Sequence, residues 1–149
     1  MTTGWLILDL DTLCDYSHRV DWRNAGDWDV FHSLAEDDKP NLDVVDFVNV
    51  LRTTAAMNVM IVTGRPIKYS KLTQQWLAKH DVYPDVLAMR KNDDWDKDAE
   101  MKIAMLEAEF GDRQSVLNSV WIVLDTKEKS CVALRNYGLQ VWMPRQGGY

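Results

Sequence analysis

Short apolar runs recur along the chain, at residues 5–8, 58–63, 86–89, 120–124 and 139–142. Each run is only a few residues long, and the first and fourth run directly into an aspartate. A continuous apolar run of this length is typical of a strand that is buried on both faces, as in a parallel sheet. The pattern therefore predicts five strands of one parallel sheet.

Between these runs, apolar residues recur at helical spacing. The predicted helices follow Asn41, a good N-cap residue, and then cover residues 69–80, 99–110 and 129–137. Strands that alternate with helices are joined by right-handed crossovers, which place helices on both faces of the sheet. The predicted fold class is α/β and Rossmann-like, with a central parallel β-sheet flanked by helices.

Residues 15–39 interrupt this alternation, because the segment is polar, rich in tryptophan and too long for an ordinary connection. A connection of this length usually forms a functional loop or a small cap, so we expect a minimal cap inserted into a single domain that covers residues 1–149.

The seven tryptophans divide into two groups. One group lies on predicted strands or a helix face and is expected in the core: Trp5, Trp76, Trp121 and Trp142. The other lies in predicted loops near the mouth of a site: Trp22, Trp28 and Trp95. These three either stack on a nucleobase or pack the cap against the body.

The composition is that of a globular domain, with 149 residues, 46% hydrophobic residues and a net charge of −6. It excludes a disordered or fibrous chain, and no apolar run is long enough to cross a membrane. The acidic balance argues against an extended nucleic-acid groove but allows a local pocket for one phosphate. Two cysteines and no apparent signal peptide predict a cytoplasmic location.

Polar residues stand where the predicted strands end. Asp9 and Asp11 follow the first strand, and Asp125 follows the fourth. Ligands of open α/β sheets bind at the carboxyl ends of strands, and three oxygen donors there suit Mg²⁺. A carboxylate beside the metal can act as a nucleophile towards phosphorus. The alternative is that each aspartate caps only the helix that follows.

Taken together, these motifs resemble those of the haloacid dehalogenase (HAD) superfamily of phosphotransferases. Residues 8–19, LDLDTLCDYSHR, are similar to its first motif, and residues 61–66, IVTGRP, to its second. Lys102 and Asp125 resemble the third and fourth. The greatest similarity is to the 3′-phosphatase domain of phage polynucleotide kinase/phosphatase, through residues 27–28, 38–41, 141–142 and 148–149.

The resemblance implies a role for each matching residue. Asp9 would be the nucleophile and a metal ligand, and Asp11 the general acid/base with its backbone carbonyl on the metal. Thr63 would bind the transferring phosphoryl group, Lys102 would neutralise it, and Asp125 would complete a Mg²⁺ site. The candidates for gripping the substrate phosphate are Gly64, Arg65, His18, Arg19 and Arg90. By contrast, Lys127 and Lys129 are expected on the surface of the last helix.

Two departures from the superfamily pattern affect these roles. The glycine that usually follows the second aspartate is missing, because Thr12 comes directly after Asp11. Thr126 stands where the fourth motif usually has a second acid, and Glu128 is either a substitute or a solvated residue. One carboxylate fewer should weaken metal binding.

The sequence therefore predicts a Mg²⁺-dependent phosphomonoesterase that forms an aspartyl-phosphate. Its substrate would be a small phosphorylated molecule, either a nucleotide or the 3′-phosphate end of a nucleic acid. A weakened domain that only binds phosphate or nucleotide, and a phosphotransferase, are the alternatives. No Gly-Lys-Ser/Thr phosphate loop is present, so no kinase activity is predicted. The oligomeric state stays open.

Overall fold

The computed structural model describes residues 4–145 and has a five-stranded parallel sheet at its centre. These residues contain seven strands, of which five form this sheet and two, β2 and β3, form a separate pair. The strands are β1 (Trp5–Asp9), β2 (Cys14–Asp15), β3 (Lys39–Pro40), β4 (Asn58–Pro66), β5 (Val86–Arg90), β6 (Val120–Leu124) and β7 (Val141–Trp142). The helices are α1 (Val20–Asn24), α2 (Trp28–Ser33), α3 (Leu42–Thr54), α4 (Ser70–Lys79), α5 (Asp98–Phe110), α6 (Arg113–Ser119) and α7 (Glu128–Tyr137).

The strand order in the central sheet is β5-β4-β1-β6-β7, and every pairing is parallel. Strand β1 is central, with Asp9 paired to Val62 of β4 and Leu8 paired to Leu124 of β6. The predicted α/β class and parallel sheet are confirmed. This register brings the ends of β1, β4 and β6 to one edge of the sheet.

Two apolar layers hold the sheet, one on each face. Side chains of α3 and α4, such as Val48 and Leu77, pack with Leu6 and Leu8 of β1. The intervening Ile7 points to the other face, where helices α5, α6 and α7 cover it. Successive side chains of a strand alternate between faces, so β1 supplies both layers and is anchored from both sides.

Several elements differ from the expectation. Helix α6 was not predicted; Asp112 caps it by accepting a hydrogen bond from the Ser115 amide at 2.8 Å. Strand β7 is shorter than the predicted 139–142. Asn41 precedes α3, but its side chain makes no capping hydrogen bond. It instead donates to the Thr12 carbonyl at 3.1 Å and so ties the helix to the turn after β1.

The insertion at 15–39 is a small helical cap. It contains α1 and α2 and is closed at its base by the antiparallel pair β2 and β3. Arg19 fastens it from within, because its buried guanidinium donates two hydrogen bonds to Asp38, at 2.8 and 2.7 Å, and one to the Phe31 carbonyl. The expected minimal cap is present and is ordered by a buried ion pair.

The prediction that four tryptophans lie in the core is wrong for two of them. Trp76 is buried, but Trp121 and Trp142 are 40% and 45% exposed. Trp142 lies on the two-residue edge strand β7 and Trp121 on the neighbouring β6, where little covers them, and their rings pack edge to face at 6.2 Å. Trp22 and Trp28 lie on α1 and α2 instead of on loops. In residues 4–145, no helix is long and apolar enough to cross a membrane.

Candidate active site

The turn after β1 holds the first two aspartates at the carboxyl edge of the sheet. Asp9 ends the strand, and a 3-10 turn follows directly at Leu10–Thr12. The Asp11 amide donates to Asp9 Oδ2 at 3.3 Å, and the Thr12 hydroxyl donates to the Asp9 carbonyl. Backbone angles in this turn are ordinary, so the chain leaves the strand without the superfamily's usual glycine. Asp11 therefore stays beside Asp9.

Lys102 of α5 is fully buried and joins three carboxylates. Its ammonium lies 2.6 Å from Asp98 Oδ2, 2.7 Å from Asp125 Oδ2 and 3.1 Å from Asp9 Oδ1. Burial alone would lower the pKa of Lys102, but the surrounding carboxylates raise it, so the ammonium is permanently charged. The structure thus brings together Asp9, Lys102 and Asp125 from three separate elements.

The two lysines only partly offset the effect of burial on the Asp9 carboxylate. Burial raises its pKa to about 7, although Lys102 and Lys127 oppose that rise. Its Oδ1 atom accepts no hydrogen bond within residues 4–145 and is only ion-paired with Lys102. A buried carboxylate oxygen in this state is ready to accept a further cation.

Lys127 also belongs to the site, which corrects the expectation that it is a surface residue of the last helix. Its ammonium lies 3.3 Å from Asp98 Oδ1, 3.5 Å from Asp11 Oδ2 and 3.7 Å from Asp9 Oδ2. Lys129, two residues on, is exposed as expected. Burial would raise the pKa of Asp11, but Lys127 and the nearby arginines lower it overall, so Asp11 is ionised at neutral pH.

Asp98 was missed by the sequence analysis. It begins α5, and its carboxylate contacts Lys102 and Lys127 and accepts a hydrogen bond from the Ser130 hydroxyl at 2.6 Å. The available signal was its place four residues before Lys102, which puts both side chains on one face of a helix. Asp98 links α5 to α7 and positions both lysines.

The second motif places a hydroxyl and a cation at the same edge. Thr63 Oγ1 accepts a hydrogen bond from the Arg65 amide at 3.1 Å and donates to no other group in residues 4–145. Arg65 is 5% exposed, and its guanidinium donates to the Thr73 hydroxyl at 3.0 Å without a carboxylate partner among the described residues. A buried cation without a direct ion pair attracts an anionic ligand.

Gly64 lies close to Asp98, which forms an acidic cluster with Asp9, Asp11 and Asp125. A Cβ atom there would stand 3.3 Å from Asp98 Oδ1, so a side chain at this position would crowd the site. The Gly64 carbonyl accepts a hydrogen bond from Arg90 Nε at 3.1 Å. Arg90 also donates to the carbonyls of Asp94 and Asp96 and thereby orders the loop after β5.

A cavity of about 430 Å³ opens between this edge and the cap. Asp11, Thr63 and Arg65 line its floor, and Trp28 and Trp95 line it from the cap and from the loop after β5. Trp28 and Trp95 thus lie at the cavity, as expected for residues near the mouth of a site. Trp22 and Asp9 are not among the described residues that line it.

The cap residues predicted to grip phosphate differ from one another. Arg19 lines the cavity, but its guanidinium forms an ion pair with the Asp38 carboxylate. His18 Nε2 lies 2.8 Å from the same Asp38 carboxylate, and the ring does not line the cavity in the part of the chain that the structure describes. The structure therefore places His18 in the cap, away from the floor of the cavity.

The three predicted metal ligands do not form a ready-made group. Within residues 4–145, no set of three or more His, Cys, Asp or Glu side chains is arranged to hold a metal ion. Two ammonium groups, of Lys102 and Lys127, contact these carboxylates instead. Four carboxylates nevertheless face only two lysines, which leaves a formal excess of two negative charges.

The chain has the parallel α/β sheet that is expected of the HAD class, and one edge of that sheet carries Asp9, Asp11, Thr63, Lys102 and Asp125. The chain belongs to the family of polynucleotide kinase PNKP phosphatase domains, whose family model matches residues 4–149. The family match includes residues 148–149, which lie outside the described residues.

Solved structures show the same fold. One chain from the structure of the Pnkp1/Rnl/Hen1 RNA repair complex superposes with a TM-score of 0.79 at 23% identity, over 99% of this chain and 44% of that one. A chain from a second structure of the Pnkp1/Rnl/Hen1 complex gives a TM-score of 0.80 at 23% identity, over 99% and 47%. This chain thus spans less than half the length of either. No curated protein sequence matches it.

Proposed function

We propose that the chain is a phosphatase that removes a phosphate from the 3′ end of a polynucleotide, or from a nucleotide, through a phosphoryl group held on Asp9. The observation that carries this proposal is the buried Asp9 carboxylate. It stands beside the fixed ammonium of Lys102 and close to a cavity floor that carries Thr63 and Arg65. Membership in the PNKP phosphatase-domain family supports the substrate class.

In the proposed reaction, an Asp9 oxygen attacks phosphorus and the ester bond to the leaving oxygen breaks. Because Asp11 is ionised in the free protein, it first takes a proton from the phosphate monoester as this binds. It gives that proton to the leaving oxygen, takes one from the water that hydrolyses the aspartyl-phosphate, and returns it to the departing phosphate. Inorganic phosphate and free Asp9 result. The Thr63 hydroxyl, which has a proton to donate, and the Arg65 guanidinium would bind the phosphoryl oxygens.

Mg²⁺ fits the residues at this site. Asp9 and Asp125 would hold it through their carboxylates and Asp11 through its backbone carbonyl, as the family resemblance implies. Asp9 Oδ1, which accepts no hydrogen bond among the described residues, and the excess of negative charge support a divalent cation there. When bound, the ion would neutralise charge on the phosphoryl group.

Lys102 would serve a different purpose from the metal. Its contacts with Asp98 and Asp125 hold the ammonium in place, and its contact with Asp9 Oδ1 orients that carboxylate. Its charge also opposes the rise in the Asp9 pKa that burial causes. A nucleophile held in this way loses no orientational freedom when the substrate arrives. Lys102 is therefore proposed as both an orienting and a charge-stabilising residue.

A second candidate function is a phosphate-binding domain without turnover. Two observations favour it: Lys127 contacts both motif-one carboxylates, and the neutral Thr126 takes the place of an acid. Such a protein would bind a 3′-phosphorylated oligonucleotide and leave it intact.

Phosphate release distinguishes the two candidates. The panel contains 3′- and 5′-phosphorylated oligonucleotides, nucleoside 3′-monophosphates and a sugar phosphate, each with Mg²⁺. We expect release from the 3′-phosphates, and Asp9→Asn should lower kcat by several powers of ten without loss of fold. The exposed Asp46→Asn variant is the matched control. Wild-type turnover by folded Asp9→Asn would refute the mechanism, and tight binding without release by the native protein would favour the second candidate.

A further inference from the structure

Lys127 and Lys102 contact the same carboxylate cluster but are held very differently. Lys102 is fully buried and makes three contacts between 2.6 and 3.1 Å. The Lys127 side chain is 31% exposed, its contacts range from 3.3 to 3.7 Å, and only the one with Asp98 qualifies as a hydrogen bond. Lys102 is thus held more tightly than Lys127, whose side chain is partly exposed and makes longer contacts.

The position of Lys127 explains why the proposed nucleophile is closed off. Asp9 is completely buried. Of the described residues that line the cavity, Lys127 is one and Asp9 is not. Since the Lys127 ammonium also lies 3.7 Å from Asp9 Oδ2, it covers the carboxylate on the cavity side. Movement of that ammonium would open the cavity towards Asp9.

The main chain of Lys127 is held more firmly than its side chain. The Lys127 amide donates to Asp125 Oδ1 at 3.0 Å at the point where α7 begins. The flexible four-carbon side chain of Lys127 can therefore change its conformation without any change in the main chain. Asp125 thus binds the main chain of Lys127, while Asp98 and the motif-one aspartates contact its ammonium.

We infer that the Lys127 ammonium is the built-in counter-ion of the metal-free site and that a divalent cation displaces it into the cavity on binding. This inference rests on the proposed function, because it takes Asp9 and Asp125 as the metal ligands. With Lys127 in place, the cluster has an excess of two negative charges. Without it, the excess is three, so the metal-free protein loses stability and a divalent cation is attracted more strongly.

Binding of Mg²⁺ alone, without substrate, tests the inference. Isothermal titration calorimetry compares the native protein with Lys127→Met, which keeps the length of the side chain and loses its charge. We expect Lys127→Met to bind Mg²⁺ about tenfold more tightly, and its melting temperature in EDTA to be lower than that of the native protein. Lys127→Arg, which keeps the charge, and the exposed Lys129→Met should bind Mg²⁺ like the native protein.

A second measurement needs no variant and so covers the case in which Lys127→Met fails to fold. Lysines of the native protein are acetylated with and without Mg²⁺, and labelling at each site is read by mass spectrometry. Labelling of Lys127 should increase severalfold with Mg²⁺, while Lys102 stays protected and Lys129 stays reactive. Unchanged labelling of Lys127 would overturn the inference.

The outcomes separate this inference from the proposed function. If the native protein binds Mg²⁺ and Lys127→Met binds it no more tightly, the counter-ion role is refuted and the phosphatase proposal stands. If neither protein binds Mg²⁺, both the inference and the metal-dependent reaction are refuted.

Discussion

Replacing Lys102 with methionine removes the only fully buried ammonium of the site. Three carboxylates lie within 3.1 Å of that ammonium, and two of them, on Asp9 and Asp125, are completely buried. Methionine fills nearly the same space, so packing is preserved and the change is almost purely electrostatic. The formal excess of negative charge in the cluster increases from two to three.

The expected cost follows from leaving buried charge unpaired. Removing one partner of a buried ion pair costs about 3–5 kcal/mol. Protonation of Asp9 limits the loss, because burial already raises its pKa to about 7. We therefore expect Lys102→Met to lower the free energy of unfolding by about 3 kcal/mol, and the melting temperature by about 10 °C for a chain of this length.

Urea denaturation and calorimetry at pH 7.5 measure this effect. The matched control is Lys129→Met, which removes an exposed lysine and should change stability by less than about 0.5 kcal/mol. The double variant Lys102→Met/Asp98→Asn should recover part of the loss, because it removes one of the uncompensated carboxylates. A loss below about 1 kcal/mol in Lys102→Met would refute the reasoning that this ammonium holds the cluster together.

Three further predictions concern other parts of the site. Thr126→Asp should lower the Mg²⁺ concentration needed for half-maximal activity, since it restores an acid; an unchanged or higher requirement in phosphate-release assays would show that residue 126 does not face the metal. Burial lowers the pKa of His32, a residue of α2 that lines the cavity, to about 4, whereas the unfolded-state value is near 6.5. The free energy of unfolding should therefore fall by about 2–3 kcal/mol as the pH drops from 6.5 to 4, and urea titrations of His32→Phe should lack that part of the pH dependence. Trp95 is 87% exposed, so Trp95→Ala should leave the melting temperature unchanged and cost about 1–3 kcal/mol in binding an oligonucleotide; an equal loss of kcat/KM on a base-free phosphate ester would refute base stacking.

The sheet was predictable because its central strand is buried on both faces. The run at residues 5–8 is continuously apolar, and a polar residue directly after such a run must lie at the edge of the sheet. This reasoning located Asp9 and Asp125, and the parallel pairing of β1 with its neighbours then brought them together. The exposed tryptophans on β6 and β7 were not predictable, since burial depends on which helix covers a strand end.

The amino-acid sequence by itself determined the class of the fold, the edge at which chemistry is placed and the family to which the chain belongs. These follow from periodicity and from motifs that are local in the chain. Only the tertiary structure decided which charges face one another. Asp98 and Lys127 are 29 residues apart, and nothing local distinguishes Lys127 from its exposed neighbour Lys129. The crossover of α5 and the start of α7 bring Lys127 over Asp9 and Asp11, and a contact of this kind depends on packing between elements distant in the chain.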